Sequence, residues 1–250
     1  MDPLQTPEQL QWASNLAHWI EGAMFAIVAV IALLQALSYL KSKGAQYLWP
    51  GLILISGVFL PAYILLQRGP GGIVTTWNLV MKDPQQREHF LMALLLLAAG
   101  LAEVLDRSKL LQTKLRKFVA PAAFIAIGLL LFVHTEYGTP EAIAESVINH
   151  RYQGTVIVLA GLFKVAEVLW QRRYKWLAYP WIVMLFLAAL LLITYREPDG
   201  AYRTGQSWQK HTGVDHEAKH NRKSLDEQSH AGRLAAALRG CAIATSRRTR

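Results

Sequence analysis

The chain has 250 residues, 53% of them hydrophobic and 17% charged, with a formal charge of +9 at pH 7. Most charges lie outside long apolar runs, which excludes an ordinary soluble globule and specifies an all-α, polytopic membrane bundle. The positive excess sits largely in short loops between those runs, where topology accounts for it without a nucleic-acid partner. The single cysteine, Cys241, excludes an internal disulfide and a cysteine-based metal cluster.

The first helix is announced by Thr6-Pro7-Glu8-Gln9, a capping box with proline at the first helical position, and its apolar stretch covers residues 16–40. Residues 1–13 hold no Lys or Arg, so this run is expected to stay as a membrane helix and not to be cleaved as a signal peptide. A second span is predicted over 47–67, with Pro61 as a kink, and ends at Gly69-Pro70-Gly71-Gly72. Residues 73–81 read as a short interfacial segment around Trp77.

The stretch 83–109 is the clearest span. Asp83 suits a cap, Pro84 the first helical position, and an almost unbroken apolar run follows. His89 and Glu103 bracket that run on nearly one helical face, so the stripe they share should turn inward. A fourth span is predicted over 118–134 and a fifth over 150–170. Between them, residues 135–149 carry Glu136, Glu141 and Glu145 without Lys or Arg, and Thr139-Pro140 is expected to start a separate short surface helix. The sixth span covers 176–195. The bundle domain is therefore read as 1–196, and 197–250 as a polar, disordered tail.

Three histidines recur at the head of this pattern. His89 is followed by Ala99-Gly100 and Glu103, and His150 by Ala160-Gly161 and Lys164 at the same offsets. His18, His89 and His150 each precede a proline (Pro50, Pro121, Pro180) by 30 to 32 residues. The six spans thus read as three repeated helical hairpins, each led by a histidine. The basic loops join odd to even spans, so those loops are expected to be cytoplasmic and both termini outside, on the periplasmic face of a bacterial inner membrane.

In that topology His18, His89, His150 and also His134 fall at one depth beneath the outer face. Imidazole and carboxylate are the natural ligands of zinc, copper or non-haem iron, and packed helices supply them at matched height. The candidate ligands are His18, Glu21, His89, His134 and His150, with Glu88, Glu136 and Asn149 around them. Glu21 lies inside an apolar run and needs a partner, for which His18, one turn away, is the nearest choice in sequence. A second polar layer, Gln35, Glu103, Lys164 and Glu167, lies toward the other end, with Glu103 and Lys164 as an interhelical ion pair or Lys164 and Glu167 as a pair on one helix. In the tail, His216 and His220 share a helical face, but that segment reads as solvated chain.

The first functional expectation is a membrane protein that handles copper or zinc by uptake, delivery or resistance, in exchange with a periplasmic metal carrier or a redox partner. In general plan it is similar to the copper-resistance membrane proteins of bacteria, with no motif that carries residues across. The second is an electron-transfer subunit holding haem b between two of the histidines. The third is a membrane metalloenzyme; Gly-x-Ser-x-Gly and a P-loop are missing from the sequence, and His-Glu-x-x-His occurs only as His216-Glu217-Ala218-Lys219-His220 in the polar tail, outside the predicted spans.

Overall fold

The computed structural model describes residues 6–67, 73–108, 114–203 and 207–208. The tail histidines His211, His216, His220 and His230 lie outside the described residues. The chain is mostly helical: α1 (Pro7–Ala36), α2 (Leu48–Gln67), α3 (Ile73–Lys82), α4 (Pro84–Ser108), α5 (Val119–Phe132), α6 (Pro140–Trp170) and α7 (Pro180–Thr194). Among the described residues, six helices are long and apolar enough to cross a membrane, α3 being too short. Their outward faces carry Ile27, Val58, Leu94, Leu129, Leu162 and Val183, all largely exposed, as befits side chains that meet lipid.

Local chemistry accounts for the starts of these helices. Gln9 N–H donates to Thr6 Oγ1 while the Gln9 side chain accepts from Thr6 N–H, closing the capping box that begins α1. Gln86 N–H donates to Asp83 Oδ1 at the head of α4. Ala142 N–H donates to Thr139 Oγ1 at the head of α6. At its far end α1 stops where Ser38 turns to a φ of 63°.

The surface helix expected at Thr139-Pro140 and the fifth span are one element. Nothing between Pro140 and His150 breaks a helix, and α6 runs for 31 residues without interruption. His150 therefore lies about three turns inside α6 instead of at its mouth, much as His18 does in α1. Helix α2 likewise continues through Pro61.

The spanning helices close into a ring in which each packs on its sequence neighbours, α7 returning to α1. Small residues set the tightest approaches. A Cβ added at Gly57 of α2 would meet Leu97 and Ala93 of α4, one at Gly128 of α5 would meet Val158 and Gly154 of α6, and one at Gly22 of α1 would meet Ala189 and Ile193 of α7. The ring's middle is filled by Val28, Ala29, Ile53, Ala99, Leu185, Ala188 and Ala189. These are nearly all inaccessible, and the middle they fill is apolar among the described residues.

At one end the ring carries a cover. Residues 133–139, between α5 and α6, form the short strand β1 (Glu136–Tyr137), which pairs antiparallel with β2 (Ser207–Trp208). Ala201 bridges to Gly138, and Tyr195, Glu197, Ala201 and Tyr202 are buried. The chain after residue 196 thus begins with a packed segment. Polar residues there gain partners on α1: Gln11 Nε2 and Ser14 Oγ both donate to Glu197, and Glu197 N–H donates to Asn15 Oδ1.

Candidate metal centre

His18, His89 and His150 sit on α1, α4 and α6, and each directs Nδ1 at a backbone carbonyl one turn earlier: Ser14 at 2.8 Å, Gln85 at 2.8 Å and Ser146 at 3.0 Å. A carbonyl only accepts, so Nδ1 carries a proton in each ring, and in the neutral form Nε2 keeps its lone pair. All three residues line one cavity. Nε2 of each has no hydrogen-bond partner among the described residues.

His134 joins them from the α5–α6 connection. Its ring centroid lies 4.7 Å from that of His89 and 4.8 Å from that of His150, and His18 lies 5.9 Å from His150. Four imidazoles from four elements therefore meet at one level. Glu136, two residues further on, places Oε1 2.7 Å from His150 Nδ1, off the line of an N–H already directed at Ser146. One ligand atom from each of His134, Glu136 and His150 lies within 4.8 Å of the others. Donors about 2.0 to 2.1 Å from a tetrahedral zinc ion stand about 3.4 Å apart, so these three would draw in by up to about 1.4 Å to share one ion.

The cover supports this group. Glu88 accepts from Thr135 N–H at 2.7 Å and Thr135 Oγ1 at 2.9 Å, and its Oε2 lies 2.8 Å from His134 Nδ1, which makes no aligned hydrogen bond. Burial holds the His134 imidazole well below its ordinary pKa, helped by the neighbouring histidines, so the ring is neutral. Burial pushes the Glu136 carboxyl above the usual carboxylate range, an effect opposed by His150. Tyr195, whose ring lies 4.3 Å from that of His18 and 5.5 Å from that of His150, walls the site from the α7 side. Burial and the nearby Glu197 raise the pKa values of both Tyr195 and Tyr202.

Several sequence expectations are corrected here. Glu21 is partnered not by His18 but by Ser56 of α2, whose Oγ donates to Glu21 Oε2. The bond from His18 Nδ1 to Ser14 tips that ring up α1, and Glu21 lies one turn in the other direction. Asn149 lines a separate pocket with Glu145, Tyr152 and Thr194, and among the described residues no hydrogen bond joins it to the imidazoles. Glu103 bonds Arg107 at 2.8 Å, whereas Lys164 bonds Glu167 at 2.8 Å, so the pairs stay within their own helices. Gln35 donates to the Ala45 carbonyl. Lys164 Nζ lies 4.2 Å from the Trp181 ring and Arg107 lies 4.6 Å from the Trp49 ring, so cations stacked on indoles close the end of the bundle opposite the histidines.

Tyr195, Glu197 and Tyr202 escaped the sequence reading. The available signal was that the polar run after the sixth span opens with buried-type aromatics, Tyr195 and Tyr202, around a carboxylate. The chain matches no protein-family model, no curated protein and no solved structure.

Proposed function

We propose that this is an integral membrane metal-binding protein whose ion, copper or zinc, is held at the covered end of the bundle by His18, His89, His134 and His150. The observation that carries the reading is the shared arrangement of three helical histidines, each with Nδ1 tied to its own backbone and Nε2 left to face a common interior. That is the form in which imidazole ligates a metal, with tautomer and ring orientation set beforehand. An all-nitrogen donor set with carboxylates at its edge suits zinc or copper better than magnesium or calcium. Glu136 is a further ligand or an orienting carboxylate, and Glu88 orients His134.

The three hairpins are proposed to be copies of one unit. His18, His89 and His150 are separated by 71 and 61 residues, and Gly57, Gly128 and Ala189, each at a tight helix contact, are separated by the same intervals. By the charge of the loops the metal layer faces outside, with both termini on that side. Handling of the metal at that face, in delivery or resistance, fits better than conduction across the membrane. The apolar middle of the ring and the Lys164–Trp181 layer offer no continuing row of ligands. Haem b has less support, since imidazoles 4.7 to 4.8 Å apart leave no slot for a macrocycle between them.

The test is elemental analysis of protein purified in mild detergent and loaded separately with copper and zinc, on the wild type and on the His89→Ala and His150→Ala variants. One ion per chain in the wild type, with loss of at least tenfold in affinity in each variant, supports the site. Equal metal content in folded His89→Ala and His150→Ala protein refutes it. A sharp Soret band would replace the ion with haem.

A further inference from the structure

Below the histidines, the ring forms a partly open cavity of about 140 Å³ whose walls follow the helical repeat. Three residues after His18, His89 and His150 come Glu21, Met92 and Gln153. Seven residues after them come Phe25, Leu96 and Ile157, and all six line the same space. The cavity therefore descends about two helical turns, roughly 10 Å, from an imidazole rim through a partly polar belt to an apolar floor.

Two polar atoms in the belt have no protein partner. Glu21 Oε1 and Gln153 Oε1 are buried without a hydrogen bond, in residues that are 8% and 2% exposed. Both are acceptors. The other Glu21 oxygen already accepts from Ser56, so the carboxylate is anchored at the cavity wall with its second oxygen unbonded. An unmet buried acceptor costs roughly 1 to 3 kcal/mol, which calls for a donor from outside the protein.

The size and lining narrow what that donor belongs to. An engineered cavity of roughly 150 Å³ lined by aliphatic side chains takes up benzene, so this space fits one six-membered ring. Most of the wall is apolar, from Leu96, Ile127 and Ile157 among others, which suits a ring body better than several waters. On the side toward α1 and α2, the wall residues Leu10, Ala17 and Tyr63 keep partial exposure, so a lipid-dissolved molecule meets its thinnest barrier there.

We propose that this cavity binds the head of a lipid-soluble phenol or hydroquinone, its ring between Phe25, Leu96 and Ile127 and its hydroxyl donating to Glu21 and Gln153 directly beneath the histidine layer. The site goes beyond the metal reading and does not depend on it, because the recognition groups are Glu21, Gln153 and the apolar floor.

The experiment is fluorine NMR on the full chain in lipid nanodiscs, with 4-fluorophenol and fluorobenzene as probes, in metal-loaded and chelator-treated samples. The expected result is saturable binding of 4-fluorophenol about tenfold tighter than that of fluorobenzene, with or without metal. In Glu21→Leu the two probes should bind equally. In Ile127→Phe, which fills the floor while leaving Glu21 and Ser56 in place, neither should bind. Circular dichroism and a cooperative unfolding transition verify that each variant is folded. Absence of saturable 4-fluorophenol binding to folded wild-type protein would mean the cavity holds water only and would overturn the proposal. An undiminished preference for the phenol in both Glu21→Leu and Gln153→Leu would overturn it as well. Loss of metal binding with probe binding intact would count against the metal reading alone.

Discussion

Replacing Gly128 by alanine should open the seam on which the histidine layer depends. A Cβ at this position would stand 2.6 Å from Val158 Cγ2, 2.7 Å from the Gly154 carbonyl oxygen and 2.8 Å from Val158 N–H nitrogen. Two of these three obstacles are α6 backbone, so no rotamer change relieves them and α5 and α6 must separate. Overpacking of this kind costs about 3 kcal/mol, and the better helix propensity of alanine returns about 1, for a net loss of about 2 kcal/mol. Because α6 carries His150 and Gln153 while α5 leads to His134, the same separation should weaken zinc or copper binding. The internal control is Gly51→Ala in α2, where an added Cβ meets nothing within 4 Å. There the propensity gain acts alone and stability should rise by about 0.5 to 1 kcal/mol. Unfolding by sodium dodecyl sulfate in mixed micelles, followed by tryptophan fluorescence, reads both variants, and metal titration reads the site. A Gly128→Ala protein as stable as the wild type, or the two variants shifted in the same direction, would refute the argument that this seam is held by backbone contact.

At the opposite end, Glu167→Ala should destabilise the bundle by about 3 kcal/mol or more, because it strands the buried Lys164 ammonium. Glu103→Ala should cost much less, since Arg107 is partly exposed and still rests on Trp49. The reverse ranking in the same unfolding assay would reinstate a Glu103–Lys164 pair. In metal-free protein, the buried neutral His134 should contribute stability that is complete above its unfolded pKa of about 6.5 and is lost as pH falls below it, by up to about 1.4 kcal/mol per unit. Glu136, whose raised pKa acts in the opposite sense, is common to wild type and His134→Asn, so the difference between their stability profiles at pH 7 and 5 isolates the histidine. Parallel profiles would contradict a buried, neutral ring. Tyr202→Phe removes only the hydroxyl that donates to Glu197 at 3.3 Å, and Glu197→Ala removes the anchor shared with Ser14 at 2.6 Å. Glu197→Ala should therefore loosen the cover far more, read as faster amide exchange around residues 197–202.

What could be read along the chain was whatever is decided within about four residues of itself. The apolar lengths, the caps at Thr6, Asp83 and Thr139, and the prolines at helix starts depend on neighbours in sequence, and the spans follow from them. The common level of His18, His89, His134 and His150 also followed, since depth is only a count of residues from the end of a span. Here local chemistry misled once: a proline-led start at Pro140 looked like a separate helix, although helix formers continue from it into α6.

Which groups touch was decided elsewhere. Ser56 reaches Glu21 across 35 positions, Thr135 reaches Glu88 across 47, and Glu197 reaches Ser14 across 183. Such partners are selected by how closely helices approach and by how a terminal segment folds back. Those outcomes arise from packing of small residues such as Gly22, Gly57 and Gly128 against distant backbone, and the spacing of such residues does not say which backbone each will meet. The sequence alone determined a membrane bundle with histidines at one height. The tertiary structure decided that their rings meet, that a cover shields them, and that a cavity with two unmet acceptors lies beneath, because distances between helices are properties of the assembled ring and of no single helix.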